Sequence, residues 1–402
     1  MNENILLLNC GSSSIKYQLI DPKNPVPLAS GLVQRIGQSV STIDHKVDGE
    51  EFSASDPYED HKEAVEAVVH MFQEHGPSLE KVTAVGHRTV HGGSEFIEPT
   101  LIDDAVVEKM RSLIPLAPLH NPPAIAGIEG AKKVLPDVPH VAVFDTAFFS
   151  DLPEEAYTYP IDREVAKKYG IRRYGFHGTS HEYVSHQAAK FLGTPIEELK
   201  LIVAHIGNGA SMSAIDGGRP IDTSMGLTPL EGLMMGTRSG DIDPGLHTYL
   251  HHQGMNMEEV DVLLNKKSGL QGMIGMTDMR DVTAAALEGN EDAILAQKVY
   301  TRRIVKYIGA YAALLGGLDA VIFTAGVGEN AARIRKLVVD QLAGLGFKLD
   351  DEANEAPSKD AREISAADSP VKVLVIPTNE ELAMARHISD VVAISGGVLR
   401  NN

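Results

Sequence analysis

The sequence predicts an α/β fold, on two observations. Short apolar runs alternate with amphipathic helical stretches along all 402 residues, as expected of strands covered by helices. In addition, one segment has an echo. Residues 5–21 read ILLLNCGSSSIKYQLID and residues 201–216 read LIVAHIGNGASMSAID, each a strand, a turn of small residues, a strand and an aspartate. Asn9 and Gly11 precede His205 and Gly207 by the same 196 positions, whereas Asp21 and Asp216 stand 195 apart, one residue out of step. Either two hairpins are alike by chance, or the chain holds two related lobes, each opened by a glycine/serine hairpin, with a cleft between them.

Taken in order, the runs at 5–8, 15–20, 84–87, 140–144, 201–204, 320–324 and 371–376 are the expected strands. Over residues 60–75 the helical period puts His61, Ala64, Val65, Val68, Val69 and Phe72 on one face. Asp60 followed by Glu63 resembles a capping box, and Gly76-Pro77 ends the helix. Tyr300, Ile304, Ile308, Tyr311 and Leu315 line a second helix that stops at Gly316-Gly317, and a third is expected over 329–342. The charge-rich stretch 350–368 reads as a surface excursion.

Composition narrows the function classes. The length suggests two or three domains at roughly 150 residues each. Apolar residues make up 43%, enough for sizeable cores, and no apolar run approaches the ~20 residues of a membrane span. Asn9 and the serines at 12–14 interrupt the first apolar run, so no secretory pattern is expected, and Cys10 alone gives no disulfide framework. The expectation is a soluble cytoplasmic protein. A net charge of −19 disfavours nucleic acid as a partner. If the substrates are anions, the site must carry its own local cations.

Three glycine-rich turns are candidates for phosphate binding, and each alone is equally a plain turn. Asn9-Cys10-Gly11-Ser12-Ser13-Ser14 offers backbone N–H groups and hydroxyls, with Lys16 following as a point charge. It lacks the Walker spacing, and a strand rather than a helix follows it, so it is no dinucleotide fingerprint either. His205-Ile206-Gly207-Asn208-Gly209 repeats the logic, and Gly326-Val327-Gly328-Glu329-Asn330 lies between a strand and a helix. Together the three favour phosphate binding. Arg88 and Arg238 sit among glycines and apolar residues, where a guanidinium fork suits carboxylate or phosphate oxygens. The plainer reading is a structural ion pair, for Arg238 with Asp241 or Asp243. His120, His177 and His181 are either site residues or satisfied core histidines, and Gly178 and the missing glutamate argue against a zinc helix. Asp145 ends a strand and Glu380 and Glu381 follow one, where carboxylates suit Mg²⁺; for Glu380 and Glu381 the plainer reading is helix N-terminal charge.

The stretches NCGSSSIKY, GHRTVHGG, PLHNPP, FDTAFF, YGFHGTSH, HIGNGAS, MGTRSGDIDP, FTAGVGEN and PTNEE, in this order over residues 9–381, resemble the acetate kinases. The resemblance implies the two-lobed, duplicated RNase-H-like fold of sugar kinases, actin and heat-shock ATPases, with ATP in the cleft. It implies an N-terminal lobe of residues 1–149, rejoined by a C-terminal helix over 383–402, and a nucleotide-binding lobe over 150–382. Acetate and ATP would be the substrates, Mg²⁺ the metal with Mn²⁺ able to substitute, and a homodimer the assembly. By resemblance, Asn9 and Glu380 hold the metal and Lys16 lies near the nucleotide phosphates. Arg88 binds the carboxylate, and Val90, Leu119, Phe176 and Pro229 form a pocket for the methyl group. Asp145, His177 and Arg238 are catalytic, with His120 and His205 supporting the phosphoryl site. The runs 205–209, Asp278-Met279-Arg280 and 326–330 contact ATP. A carboxylate nucleophile is already ionised at neutral pH, so Asp145 is expected to orient other groups rather than take a proton. The rivals are a propionate or butyrate kinase of the same fold and an ATPase that transfers nothing.

Overall fold

The computed structural model describes residues 3–399, and the chain divides into two compact units, Met1–Ser150 with Asn379–Asn402, and Asp151–Thr378. The first unit takes the chain back at Asn379, somewhat earlier than position 383, because its closing helix already begins at Glu380 (Glu380–Leu399). No helix among the described residues is long and apolar enough to cross a membrane.

The first unit holds β1 (Asn4–Cys10), β2 (Ser14–Ile20), β3 (Ala29–Gln34), β4 (Ser41–Val47), β5 (Glu50–Asp56), β6 (Val82–Thr89), β7 (Thr100–Leu101) and β8 (His140–Phe144). They form one sheet in the order β5-β4-β3-β2-β1-β6-β8-β7. The second unit holds β9 (Lys200–Ile206), β10 (Ala210–Asp216), β11 (Arg219–Thr223), β12 (Ala320–Thr324), β13 (Arg362–Glu363) and β14 (Lys372–Val375), in the order β11-β10-β9-β12-β14-β13. Three antiparallel strands followed by two parallel ones recur in both: β3-β2-β1-β6-β8 matches β11-β10-β9-β12-β14. The echo therefore reports a duplicated fold. In β1–β2 Cys10 pairs with Ile15 across Gly11, Ser12, Ser13 and Ser14; in β9–β10 Ile206 pairs with Ala210 across Gly207, Asn208 and Gly209. The extra residue lies in the first turn, which is why the two aspartates fall out of step. The turns close alike, Gly11 N–H donating to the Ser14 carbonyl at 2.8 Å and Gly207 N–H to that of Gly209 at 3.1 Å.

Burial explains which strands were legible. Nearly every residue of β1, β9 and β12 is buried, because these central strands are covered on both faces and so read as continuous apolar runs. β3, β4 and β5 lie at the sheet's outer edge; β4 alternates strictly and β5 is almost wholly exposed, and these strands carry no apolar run to predict them.

The helices differ from expectation in detail. His61–His75 is capped by Asp60, whose carboxylate accepts from Glu63 N–H at 3.0 Å. Glu63 reaches instead to Glu59 N–H at 2.7 Å, so the box is not reciprocal. The helix over Glu291–Leu315 is longer than predicted because Asn290 caps it, its side chain accepting from Ala293 N–H at 3.0 Å. The glycine run 326–330 is not an open turn. It forms the short helix Ala325–Asn330, separated by Ala331 from Ala332–Gln341.

Candidate active-site residues

In the first unit, β6 delivers Arg88 and the end of β8 delivers Asp145, which is buried. Parallel pairing sets Arg88 beside Val143, and Asp145 N–H donates to the Thr89 carbonyl at 2.9 Å. Arg88 then donates from Nε to Asp145 Oδ1 at 3.0 Å and from a terminal nitrogen to Oδ2 at 2.9 Å, a bidentate pair. The same terminal nitrogen lies 3.6 Å from Glu380 Oε2. Glu381 accepts from Lys16 Nζ. Asn9, Lys16, Arg88, Glu380 and Glu381 line one pocket. Burial raises the Glu380 carboxyl above its usual range, and the Asp145 and Glu381 carboxylates push it the same way against Arg88. Burial also acts on Glu381, but the Lys16 ammonium outweighs it and holds that carboxyl low.

In the second unit, His177 precedes the helix Gly178–Leu192 with φ 60°, a left-handed conformation uncommon outside glycine. Gly178 opens this helix rather than breaking it. His177 Nδ1 lies 2.9 Å from Ser211 Oγ, and its ring stacks on His205 with centroids 4.3 Å apart. Ser180 Oγ lies 2.7 Å from His205 Nδ1. A Cβ on Gly209 would stand 3.5 Å from His177 Nε2 and 3.7 Å from a terminal nitrogen of Arg238. The hairpin glycine thus leaves open the space onto which both side chains converge.

Arg238 donates to the Pro229 carbonyl at 3.0 Å, and among the described residues it forms no ion pair. Burial lowers its pKa, so it is a desolvated cation lacking a carboxylate. Neither proposed partner takes it. Asp241 accepts from Gly232 N–H at 2.8 Å and Tyr307 Oη–H at 2.8 Å, and Asp243 accepts from Gly245 N–H at 2.9 Å. Sequence reasoning missed the residues that shape this loop. Arg173 donates to the carbonyls of Thr223, Ser224 and Met225 and pairs with Glu231 at 2.7 Å, and Glu231 also accepts from Tyr159. No local pattern marks such partners, which lie far apart along the chain.

A cleft in this unit is lined by Gly207, Asn208, Asp278, Met279, Arg280, Gly326, Val327 and Asn330, among others. It collects most of the predicted nucleotide residues. Ile206 is buried beneath it in β9, and Gly328 is buried in the short helix. The Glu329 carboxylate turns inward and accepts from Ala325 N–H at 2.8 Å and Thr378 N–H at 3.1 Å, so it braces the segment. Arg280 is exposed and paired with Asp278, which caps its helix.

The residues predicted for the methyl pocket divide between the units. Val90 and Leu119 belong to the first, Phe176 and Pro229 to the second. Leu119 is 55% exposed and Phe176 only 1%. Val90 stands just past the end of β6, in a bend. His120, half-buried, directly precedes the helix Asn121–Val134.

Residues 4–386 match the Acetokinase family. The chain belongs to that family. It is 55% identical over 385 residues to an acetate kinase from Clavibacter sepedonicus, covering 95% of this chain and 97% of the relative. The crystal structure of Porphyromonas gingivalis acetate kinase superposes with a TM-score of 0.91 at 44% identity, covering 96% of this chain and 98% of the other. A propionate kinase from Francisella tularensis gives the same TM-score at 43% identity and the same coverage. The acetokinase fold is thus established over both units.

The residues present fit a hard divalent cation. Among the described residues, Glu380 forms one ion pair, a long one at 3.6 Å, so its desolvated carboxylate is under-compensated. The Asn9 side chain shares its pocket. Among the described residues no three His, Cys, Asp or Glu side chains cluster as metal ligands. An ion held here would draw on these oxygens together with water and phosphate, the usual arrangement for Mg²⁺.

Proposed function

We propose that this acetokinase transfers the γ-phosphoryl group of ATP to acetate, reversibly, giving acetyl phosphate and ADP. The observation that carries the reading is the Arg88 fork, held by two hydrogen bonds to Asp145 in a pocket that also presents Asn9 and Glu380. A guanidinium fixed in this way pre-orients a carboxylate for attack. One carboxylate oxygen forms the new bond to the γ-phosphorus, the bond to the β–γ bridging oxygen breaks, and that oxygen leaves with ADP. No proton moves, because the nucleophile is an anion at neutral pH. Asp145 accordingly holds Arg88 and needs no role as a base. His177 and Arg238 supply hydrogen bonds to the charge that spreads over the equatorial oxygens. The second unit's glycine-lined cleft takes the nucleotide, with Gly207, Asn208, Gly326 and Val327 leaving backbone accessible to it. Asn9 and Glu380 would hold Mg²⁺, which when bound neutralises phosphate charge. By kinship we read the protein as a cytoplasmic homodimer, and light scattering tests its assembly.

Hydroxylamine trapping tests the reaction, since an acyl phosphate yields a hydroxamate and simple ATP hydrolysis does not. Hydroxamate formed from acetate is the expected result, and ADP release without it would overturn the reading. The Francisella structure supports a second reading, propionate as substrate. The same assay with acetate, propionate and butyrate in parallel separates the two.

A further inference from the structure

We infer that Ser211, with His181 and Ser213, is a positioning relay that fixes the tautomer of His177, so that Nε2 of that ring carries the proton. The relay serves the reaction proposed above, by turning an N–H rather than a lone pair toward the transferring phosphoryl group.

The geometry is a chain of three contacts. Ser211 Oγ lies 2.9 Å from His177 Nδ1 and 2.7 Å from His181 Nε2, and Ser213 Oγ lies 2.7 Å from His181 Nδ1. Both serines are on β10 two residues apart, so the pleat puts them on one face. His181, Ser211 and Ser213 are all fully buried. Burial first, then the neighbouring His205, holds His181 well below the usual histidine range, so it is neutral and carries one ring proton.

A serine hydroxyl has one proton to give, and so the chain has two self-consistent directions. In the first, Ser213 donates to His181 Nδ1, His181 Nε2–H donates to Ser211, and Ser211 donates to His177 Nδ1. The His177 proton is then on Nε2. In the second, His177 Nδ1–H donates to Ser211, Ser211 to His181 Nε2, and His181 Nδ1–H to Ser213. That direction leaves the Ser213 hydroxyl proton without an acceptor, since His181 is its only side-chain partner among the described residues. A buried donor left unmade is costly, and the first direction gives the donors of Ser213, His181 and Ser211 each an acceptor. His177 Nε2 then faces the space above Gly209 that Arg238 also reaches.

The test is histidine ¹⁵N NMR on the full chain without ligands, combined with steady-state kinetics. The unmodified protein and Ser211→Thr, which keeps the hydroxyl, should both show His177 protonated at Nε2. Ser211→Ala and Ser213→Ala should give a mixture of tautomers. For Ser213→Ala this change would arise at a ring the serine does not touch, which a merely structural role would not produce. Ser211→Ala should lower kcat about 10- to 100-fold with KM for ATP little changed, and Ser211→Thr should restore most of it. A His177 ring protonated at Nδ1 in the unmodified protein, or an unaltered tautomer in both alanine variants, would overturn the relay. The expected tautomers with no phosphoryl transfer would instead overturn the proposed function and leave the relay standing.

Discussion

Asp145 accepts two hydrogen bonds from Arg88, at 3.0 and 2.9 Å, and so consumes both carboxylate oxygens on one guanidinium. The Asp145 carboxylate raises the Arg88 pKa further, more than burial lowers it. An aspartate engaged in this way orients a cation.

Asp145→Asn should therefore raise KM for acetate and lower kcat, with a combined loss in kcat/KM on the order of 10²–10³. The amide can accept only one of the two bonds, and Arg88 is then free to turn toward Glu380, 3.6 Å away. The residual rate should not depend on pH between 6 and 9. A residual activity that climbs tenfold per pH unit in this range would mark Asp145 as a base and refute the orienting role.

Arg238→Ala should lower kcat far more than it raises KM for ATP, by roughly 10²–10³. Arg238 is desolvated and lacks a carboxylate partner among the described residues. Its charge is best compensated when charge develops on the transferring group. Steady-state kinetics showing only a KM effect would reject this role.

Stability should fall as pH drops through the histidine range. Burial, helped by neighbouring His140 and His205, holds His87 and His181 well below their usual range. The unfolded chain then binds more protons than the folded one, so stability is full above the unfolded value near 6.5 and lost below it. Each pKa unit of depression is worth about 1.4 kcal/mol. Tm by circular dichroism should be lower at pH 5.5 than at 7.5, and His87→Gln should flatten the slope. Glu380, raised by burial, contributes with the opposite sign. A flat Tm across this interval would show that these histidines bind protons as readily in the folded chain as in the unfolded one.

Asn354→Ala should lower Tm and raise KM for ATP together. Arg335 is 1% exposed and donates to Asn354 Oδ1 at 2.8 Å, the Asn354 carbonyl at 2.7 Å, and the carbonyls of Gly328 and Glu329 at 3.0 and 2.9 Å. Removing the amide leaves part of a buried cation unpaired, at a cost of roughly 1.5–3 kcal/mol. It also loosens the guanidinium that holds the glycine segment. Differential scanning calorimetry and ATP titration check the two effects, and a Tm loss with unchanged KM would confine Arg335 to stability.

What the sequence made legible follows from where information is local. The central strands showed as apolar runs, and the hairpins at Asn9 and His205 showed as an echo, because each signal lies within about 15 consecutive residues. The arginines and aspartates stood out by their glycine-rich settings, although only the structure shows that Arg88 is ion-paired while Arg238, among the described residues, has no carboxylate partner. The edge strands, the Arg173–Glu231 brace, the Tyr307–Asp241 contact and the Arg335–Asn354 link were hidden. They join positions whose proximity is set by the fold. The stretch 350–368, read as a surface excursion, supplies Asn354 from the short helix Asp351–Glu355, and so reaches the glycine segment 326–330 through Arg335.

Acetate should be preferred over propionate. With the carboxylate anchored on Arg88 as proposed, an extra methylene would have to be accommodated at the other end of the substrate. By resemblance that end meets Val90, Leu119, Phe176 and Pro229. Val90 is half-buried one residue beyond the strand that carries Arg88, which makes it the pocket residue most closely tied to the anchor along the chain. In that pocket a valine would occupy volume that propionate needs. One methylene in an apolar pocket is worth only ~1–3 kcal/mol. The preference in kcat/KM should therefore be about 10–200-fold, with propionate still a measurable substrate. Val90→Ala should shrink it by raising kcat/KM for propionate more than it lowers that for acetate. Parallel hydroxamate assays on both proteins make the comparison. Equal kcat/KM for the two acids in the unmodified protein would assign propionate as an equal substrate while leaving phosphoryl transfer to a carboxylate intact. An unchanged ratio in Val90→Ala would move the discrimination to the other pocket residues.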